Sequence, residues 1–232
     1  MKNANFITWS KTDSDICPVF LREFNLLSNI KKATLFITAR GVYEAVLNGK
    51  RIGNFVMAPG WTSYDNRLQV QKYDVTDMLK NNNRLQVTLS SGWFAGLKSR
   101  PLNKDRLALI AKIVLEYSNG ESQEIVTDEN WRVAESPVRF CDIYDGEIYD
   151  ATITPDFNEN AVVSFDNDKS VLCEQIGEEV TEQERLTPVE IFKTPKGETV
   201  IDFGQNLTGY LEISLDAKAG DIAEFSFAEV RP

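Results

Sequence analysis

Hydrophobic positions along this chain recur with a period of two. Leu85, Val87 and Leu89 alternate with Arg84, Gln86 and Thr88, which gives one face for a core and one for water. Residues 33–39 and 42–47 are also strand-like, and Arg40-Gly41 between them reads as a turn or bulge. Asn48-Gly49 follows as a tight turn ahead of Arg51-Ile52-Gly53. Residues 109–126 read as a hairpin: Ile113, Leu115 and Tyr117 run into Asn119-Gly120, and Ile125-Val126 return. Asn-Gly predicts a type I′ turn there, because both residues tolerate positive φ. Trp131 and Val133 mark another short strand, and strands are expected again at 199–203, 210–215 and 222–227.

Helix is nearly absent from the pattern. One short turn is expected at 76–80, with Asp74 or Thr76 as its N-cap and Asn81-Asn82-Asn83 as its stop. No long 3.6-residue periodicity and no fixed-period repeat appear. The pattern predicts an all-β protein, a β-sandwich. The acidic stretch 174–185 and the prolines Pro188 and Pro195 predict a boundary. Residues 1–185 are then expected to form one sandwich. Residues 186–232 are expected to form a linker and the first strands of a second, truncated sandwich, since a complete one takes about seven strands.

Composition removes several functions. The formal net charge is −10, from 25 basic and 35 acidic residues. Nucleic acids and anionic membranes both call for clustered Lys and Arg, so neither is expected as a partner. The chain has no histidine. Ser-His-Asp and Cys-His catalysis and His-ligated zinc are therefore excluded on this chain. Cys17, Cys141 and Cys173 are odd in number and far apart, which predicts free thiols. With no secretory leader visible at residues 1–10, the expected location is the cytoplasm.

Several segments carry a family resemblance. In order they are 20–24 (FLREF), 33–43 (ATLFITARGVY), 47–53 (LNGKRIG), 59–67 (PGWTSYDNR) and 73–79 (YDVTDML). Gly92-Trp93-Phe94, 145–151 (DGEIYDA) and 200–206 (VIDFGQN) follow, with Gly209 and Ala228-Glu229 behind. In order and spacing they resemble the N-terminal half of bacterial α-L-rhamnosidases, which are inverting glycoside hydrolases. The 145–151 and 200–206 segments are the most specific. One departure is Thr152, where the family commonly places arginine after the Asp-Ala pair. The resemblance implies a lectin-like, jelly-roll or galactose-binding-like first domain, a second β-sandwich from about residue 190, and catalytic carboxylates in a helical barrel downstream. Nothing in this sequence resembles that barrel.

No catalytic residue is assigned. Inverting glycosidases need two carboxylates roughly 6.5–9.5 Å apart. Asp142, Asp145, Glu147 and Asp150 form an acidic run, but acidic residues commonly flank turns, and Asp145-Gly146 is itself a turn signal. Carbohydrate binding is the better reading of the polar and aromatic residues. Trp61, Tyr64 and Trp93 offer ring faces for the apolar face of a sugar. Asp65, Asn66, Asp145 and Glu147 offer oxygens for its hydroxyls. Asp65 and Asn66 are also donors of the type calcium takes, although no cofactor is required. The resemblance adds weight to that pairing, since some rhamnosidase-like modules bind rhamnose through calcium. Expected partners are rhamnose-containing glycans and a downstream catalytic domain of the same polypeptide. The alternatives are a free-standing carbohydrate-binding module and a purely structural packing domain.

Overall fold

The computed structural model describes residues 1–11, 17–95 and 107–229. The first strands are β1 (Ile7–Thr8), β2 (Pro18–Asn25), β3 (Ile30–Arg40), β4 (Val42–Leu47), β5 (Lys50–Arg51) and β6 (Leu68–Asp74). Next come β7 (Asn82–Ser90), β8 (Ala108–Tyr117), β9 (Ser122–Val126), β10 (Arg132–Glu135), β11 (Val138–Asp142) and β12 (Gly146–Tyr149). The remainder are β13 (Glu159–Asn160), β14 (Val162–Val163), β15 (Leu172–Glu174), β16 (Glu190–Lys193) and β17 (Thr199–Asp202). Among the described residues the helical content is a single 3-10 turn, Thr76–Met78. Asp74 leads into it, accepting from both the backbone N–H and the hydroxyl of Thr76.

The chain divides into two compact units, residues 1–181 and 182–232. The first is a sandwich of two sheets. Its seven-stranded sheet runs β14-β1-β8-β3-β6-β15, with β9 also paired to β8. Its six-stranded sheet runs β13-β10-β2-β7-β4-β5. The pairings within both sheets are antiparallel except for β15 on β6. The core between the sheets takes Leu35, Ile37, Leu109, Ile113 and Leu115 from one side, and Phe20, Leu47, Leu85, Val87 and Leu89 from the other. Period-two alternation explains this: on β7 the odd positions from 83 to 89 are buried, while Asn82 and Arg84 are exposed.

The chain crosses from one sheet to the other at Gly41, between β3 and β4. Its φ is +117, and a Cβ there would lie 2.4 Å from the Ser90 carbonyl oxygen. Only glycine fits so close an approach at this φ. The two Asn-Gly turns differ. Asn48 and Gly49 have φ of +54 and +81 and join Leu47 to Lys50, which is the type I′ geometry. The Asn48 amide also donates to Met78 O and Asn83 Oδ1, and its oxygen accepts from Arg84 N–H. At Asn119-Gly120 only the glycine has positive φ, so the expected I′ turn is not formed. Tyr117 N–H donates to Glu121 O across a three-residue loop, and Gly120 supplies the left-handed position. Asn119 instead uses its side-chain oxygen to accept from Glu121 N–H. That local bond competes with the I′ geometry.

The second unit holds one two-stranded ladder among the described residues, β16 with β17. The strands expected at 210–215 and 222–227 have no ladder partner among the described residues. Tyr210, Ile213, Leu215, Ile222, Phe225 and Phe227 are exposed. Alternation without a partner strand does not make a sheet, since the backbone groups need pairing. Residues 230–232 lie outside the described residues.

Candidate functional site

A second, smaller apolar cluster joins Phe6, Leu68, Ala108 and Ile110 to Tyr64 and Phe94, with Trp93 packed against it. The side chains of Ala108 and Ile110 alternate along β8 with the inward-facing Leu109 and Ala111. The cluster therefore lies on the opposite face of the seven-stranded sheet from the main core. Two loops meet over it. One follows β5 and contains Trp61–Asn66; the other follows β7 and contains Trp93 and Phe94.

The first loop is held by its own backbone. Asn66 N–H and Arg67 N–H both donate to Ser63 O at 2.8 Å, and Gly60 N–H donates to Met57 O at 3.0 Å. Tyr43 N–H anchors it to β4 by donating to Ala58 O at 2.8 Å. Tyr64, expected as a sugar contact, is buried instead. Its ring meets Phe94 edge-on with centroids 5.3 Å apart, and its hydroxyl donates to Gly60 O. It supports the loop from beneath. In the second loop the N–H groups of Phe94 and Ala95 donate to Ser91 O.

This support brings Trp61 and Trp93 together. Their rings are nearly parallel, 10° apart in plane, with centroids at 6.2 Å. Trp61 is 71% exposed, whereas Trp93 is half-buried. An exposed indole leaves apolar surface in water, and here it lies parallel to its neighbour. Asp65 and Asn66 follow on the same loop and are exposed. The Asn66 amide donates to Ser63 Oγ at 3.1 Å, leaving its side-chain oxygen to face other groups. Among the described residues no three acidic or thiol side chains converge in a manner able to hold a metal. Calcium takes six to eight oxygens, so Asp65 and Asn66 would supply only part of such a shell.

Asp145 and Glu147 belong to a separate feature, the β11–β12 hairpin. Asp142 is buried and its Oδ1 accepts from the N–H groups of Tyr144 and Asp145. It holds the turn, and Gly146 at φ +91 completes it. Asp145 therefore lies in the turn rather than on a strand, while Glu147 lies on β12 opposite Cys141. Both are exposed. Asp150 accepts from the backbone N–H and hydroxyl of Thr152, and these bonds hold its carboxyl below the usual range. Thr152, standing where the resemblance calls for arginine, thus closes a local turn. The run of four acids is largely turn chemistry.

Two of the free thiols expected from the sequence, Cys17 and Cys141, lie close together beside this hairpin. Burial pushes the Cys17 thiol up to about 12, with Cys141 and Glu147 nearby adding to the effect. Burial also raises the Cys141 thiol. Thiols held protonated in this way are inert rather than nucleophilic.

The fold defines a class, the two-sheet, predominantly antiparallel β-sandwich module. Comparison with known proteins gives the family. Residues 28–199 match the family model described as the alpha-L-rhamnosidase N-terminal domain, and the chain belongs to that family. Residues 192–231 match the bacterial alpha-L-rhamnosidase concanavalin-like domain. An alpha-L-rhamnosidase of Streptomyces avermitilis is 34% identical over 215 residues, covering 87% of this chain and 21% of its own length. One from Alteromonas sp. is 32% identical over 230 residues, covering 91% and 25%. The solved structure of the native Aspergillus terreus enzyme superposes with a TM-score of 0.81 at 33% identity, covering 88% of this chain and 26% of that one. The Streptomyces avermitilis enzyme complexed with L-rhamnose gives 0.76 at 32% identity, covering 84% and 20%. This chain thus spans about a fifth to a quarter of these relatives.

Proposed function

We propose that this chain is the non-catalytic N-terminal accessory portion of an α-L-rhamnosidase, which supports the catalytic domain and binds carbohydrate on the Trp61–Trp93 pair. The observation that carries the binding part is the exposed Trp61 ring, set parallel to Trp93 beside Asp65 and Asn66. Indole faces take up the C–H face of a pyranose, and the neighbouring carboxylate and amide accept from and donate to its hydroxyls. Rhamnose is the natural first probe, because a relative was solved with L-rhamnose. A calcium ion held in part by Asp65 and Asn66 would order those oxygens toward the sugar.

The accessory part is supported by chemistry. The chain has no histidine, its acids Asp142 and Asp150 serve turns, and it corresponds to a minor share of each relative. Purified 232-residue chain should release no p-nitrophenol from p-nitrophenyl α-L-rhamnoside; measurable turnover would overturn the accessory reading. Removal of calcium by EDTA should weaken rhamnose binding, and unchanged binding would remove the ion from the proposal. A second reading, a domain that serves mainly to pack against its neighbours, is favoured by the exposed Tyr210, Ile213, Ile222 and Phe227 of the second unit. It predicts no rhamnose binding at all.

A further inference from the structure

A groove of about 400 Å³ opens where β2 ends and β7 begins, lined by Glu23, Phe24, Asn25, Asn82, Asn83 and Arg84. Its size is within the range of small-ligand sites, roughly 300–1,000 Å³. The ladder register builds it. Glu23 lies opposite Arg84, and Asn25 opposite Asn82, so all four project from one face of the six-stranded sheet. All four are exposed. Their inward neighbours are not available: Asn83 is buried and its amide is used by Lys80 N–H, Lys80 O and Asn48.

The charges in this row do not balance. Glu23 Oε2 is taken by Arg132 on the far side, at 2.5 Å. Arg84 has no carboxylate bridged to it among the described residues; its guanidinium is over the Phe157 ring, 5.4 Å from the centroid. On this row one carboxylate, Glu23, stands between two guanidiniums, Arg84 and Arg132. The Arg84 guanidinium donates no side-chain hydrogen bond among the described residues, and its planar N–H fork matches a carboxylate. The side-chain amides of Asn25 and Asn82 flank it and can donate to and accept from hydroxyls.

We infer that this groove is a second carbohydrate site, selective for a saccharide that carries a carboxylate, as a uronic acid does. Arg84 binds the carboxylate, and Asn25, Asn82 and the second oxygen of Glu23 take the ring hydroxyls. The site is independent of the Trp61–Trp93 pair and stands whether or not that pair binds sugar.

Amide-resolved NMR titration of the 232-residue chain with methyl glucuronide and, separately, with neutral methyl glucoside tests this directly. The uronide should shift the side-chain amides of Asn25 and Asn82, with affinity that falls as sodium chloride rises, and the glucoside should bind at least about tenfold more weakly. Arg84→Gln should reduce the uronide affinity read at Asn25 and Asn82 about tenfold, and Arg84→Lys by less. Equal shifts from both sugars, no shift at Asn25 and Asn82, or full affinity in Arg84→Gln would each overturn the inference. Arg84 is exposed, and a melting temperature matching the parent would confirm that a loss comes from the site.

Discussion

The two units of this chain carry the same alternating code and meet different fates. In the first, Leu85, Val87 and Leu89 meet Leu35 and Ile113 across the sandwich and are fully buried. In the second, Ile213 and Leu215 flank Ser214, and Phe225 and Phe227 flank Ser226, and all four apolar side chains stay exposed. The difference is partnership. A strand needs both a neighbour for its backbone and an opposing sheet for its apolar face. The second unit has one two-stranded ladder to offer among the described residues.

The largest effects should separate the units. Trp131 is buried, and its ring N–H donates to Val126 O. Trp131→Ala should cost about 3–5 kcal/mol by urea denaturation, whereas Phe227→Ala, on an exposed side chain, should stay within about 0.5 kcal/mol. Comparable losses from both would show that the second unit is packed as tightly as the first. Gly41→Ala comes next. Its Cβ would press on a backbone carbonyl at positive φ, so a loss on the order of 1–3 kcal/mol is expected in the same assay. A neutral substitution there would contradict the close crossing between sheets.

The last effect is confined to alkaline pH. Unfolding lowers the Cys17 thiol from about 12 back to its ordinary value of 9.0. The unfolded chain therefore ionises first. Stability should be intact below about pH 9 and decline as pH rises toward 12. Cys17→Ala should flatten that alkaline limb of a melting-temperature profile. An identical slope in parent and variant would point to other groups as its cause.

Much of the fold is legible in the sequence because period-two patterning and turn residues act locally. Leu85, Val87 and Leu89, the break at Gly41 and the turn at Asn48-Gly49 can each be read from a few neighbouring positions. Asn119-Gly120 cannot, because a side-chain bond to Glu121 selects a different turn. The candidate site is half legible. Aromatic residues beside turns point to Trp61 and Trp93, but pattern cannot say which rings a loop buries, and Tyr64 goes to the core. The Arg84 groove depends on strand register, which pairs Glu23 with Arg84 across β2 and β7 from distant positions in the chain. No local signal carries that.

Titration calorimetry of L-rhamnose into the 232-residue chain and its Trp61→Ala variant tests the central claim most directly. Saturable heat from the parent, with affinity lowered at least about tenfold in Trp61→Ala at unchanged melting temperature, is the predicted result. No heat at millimolar sugar, or equal affinity for both proteins, would contradict it.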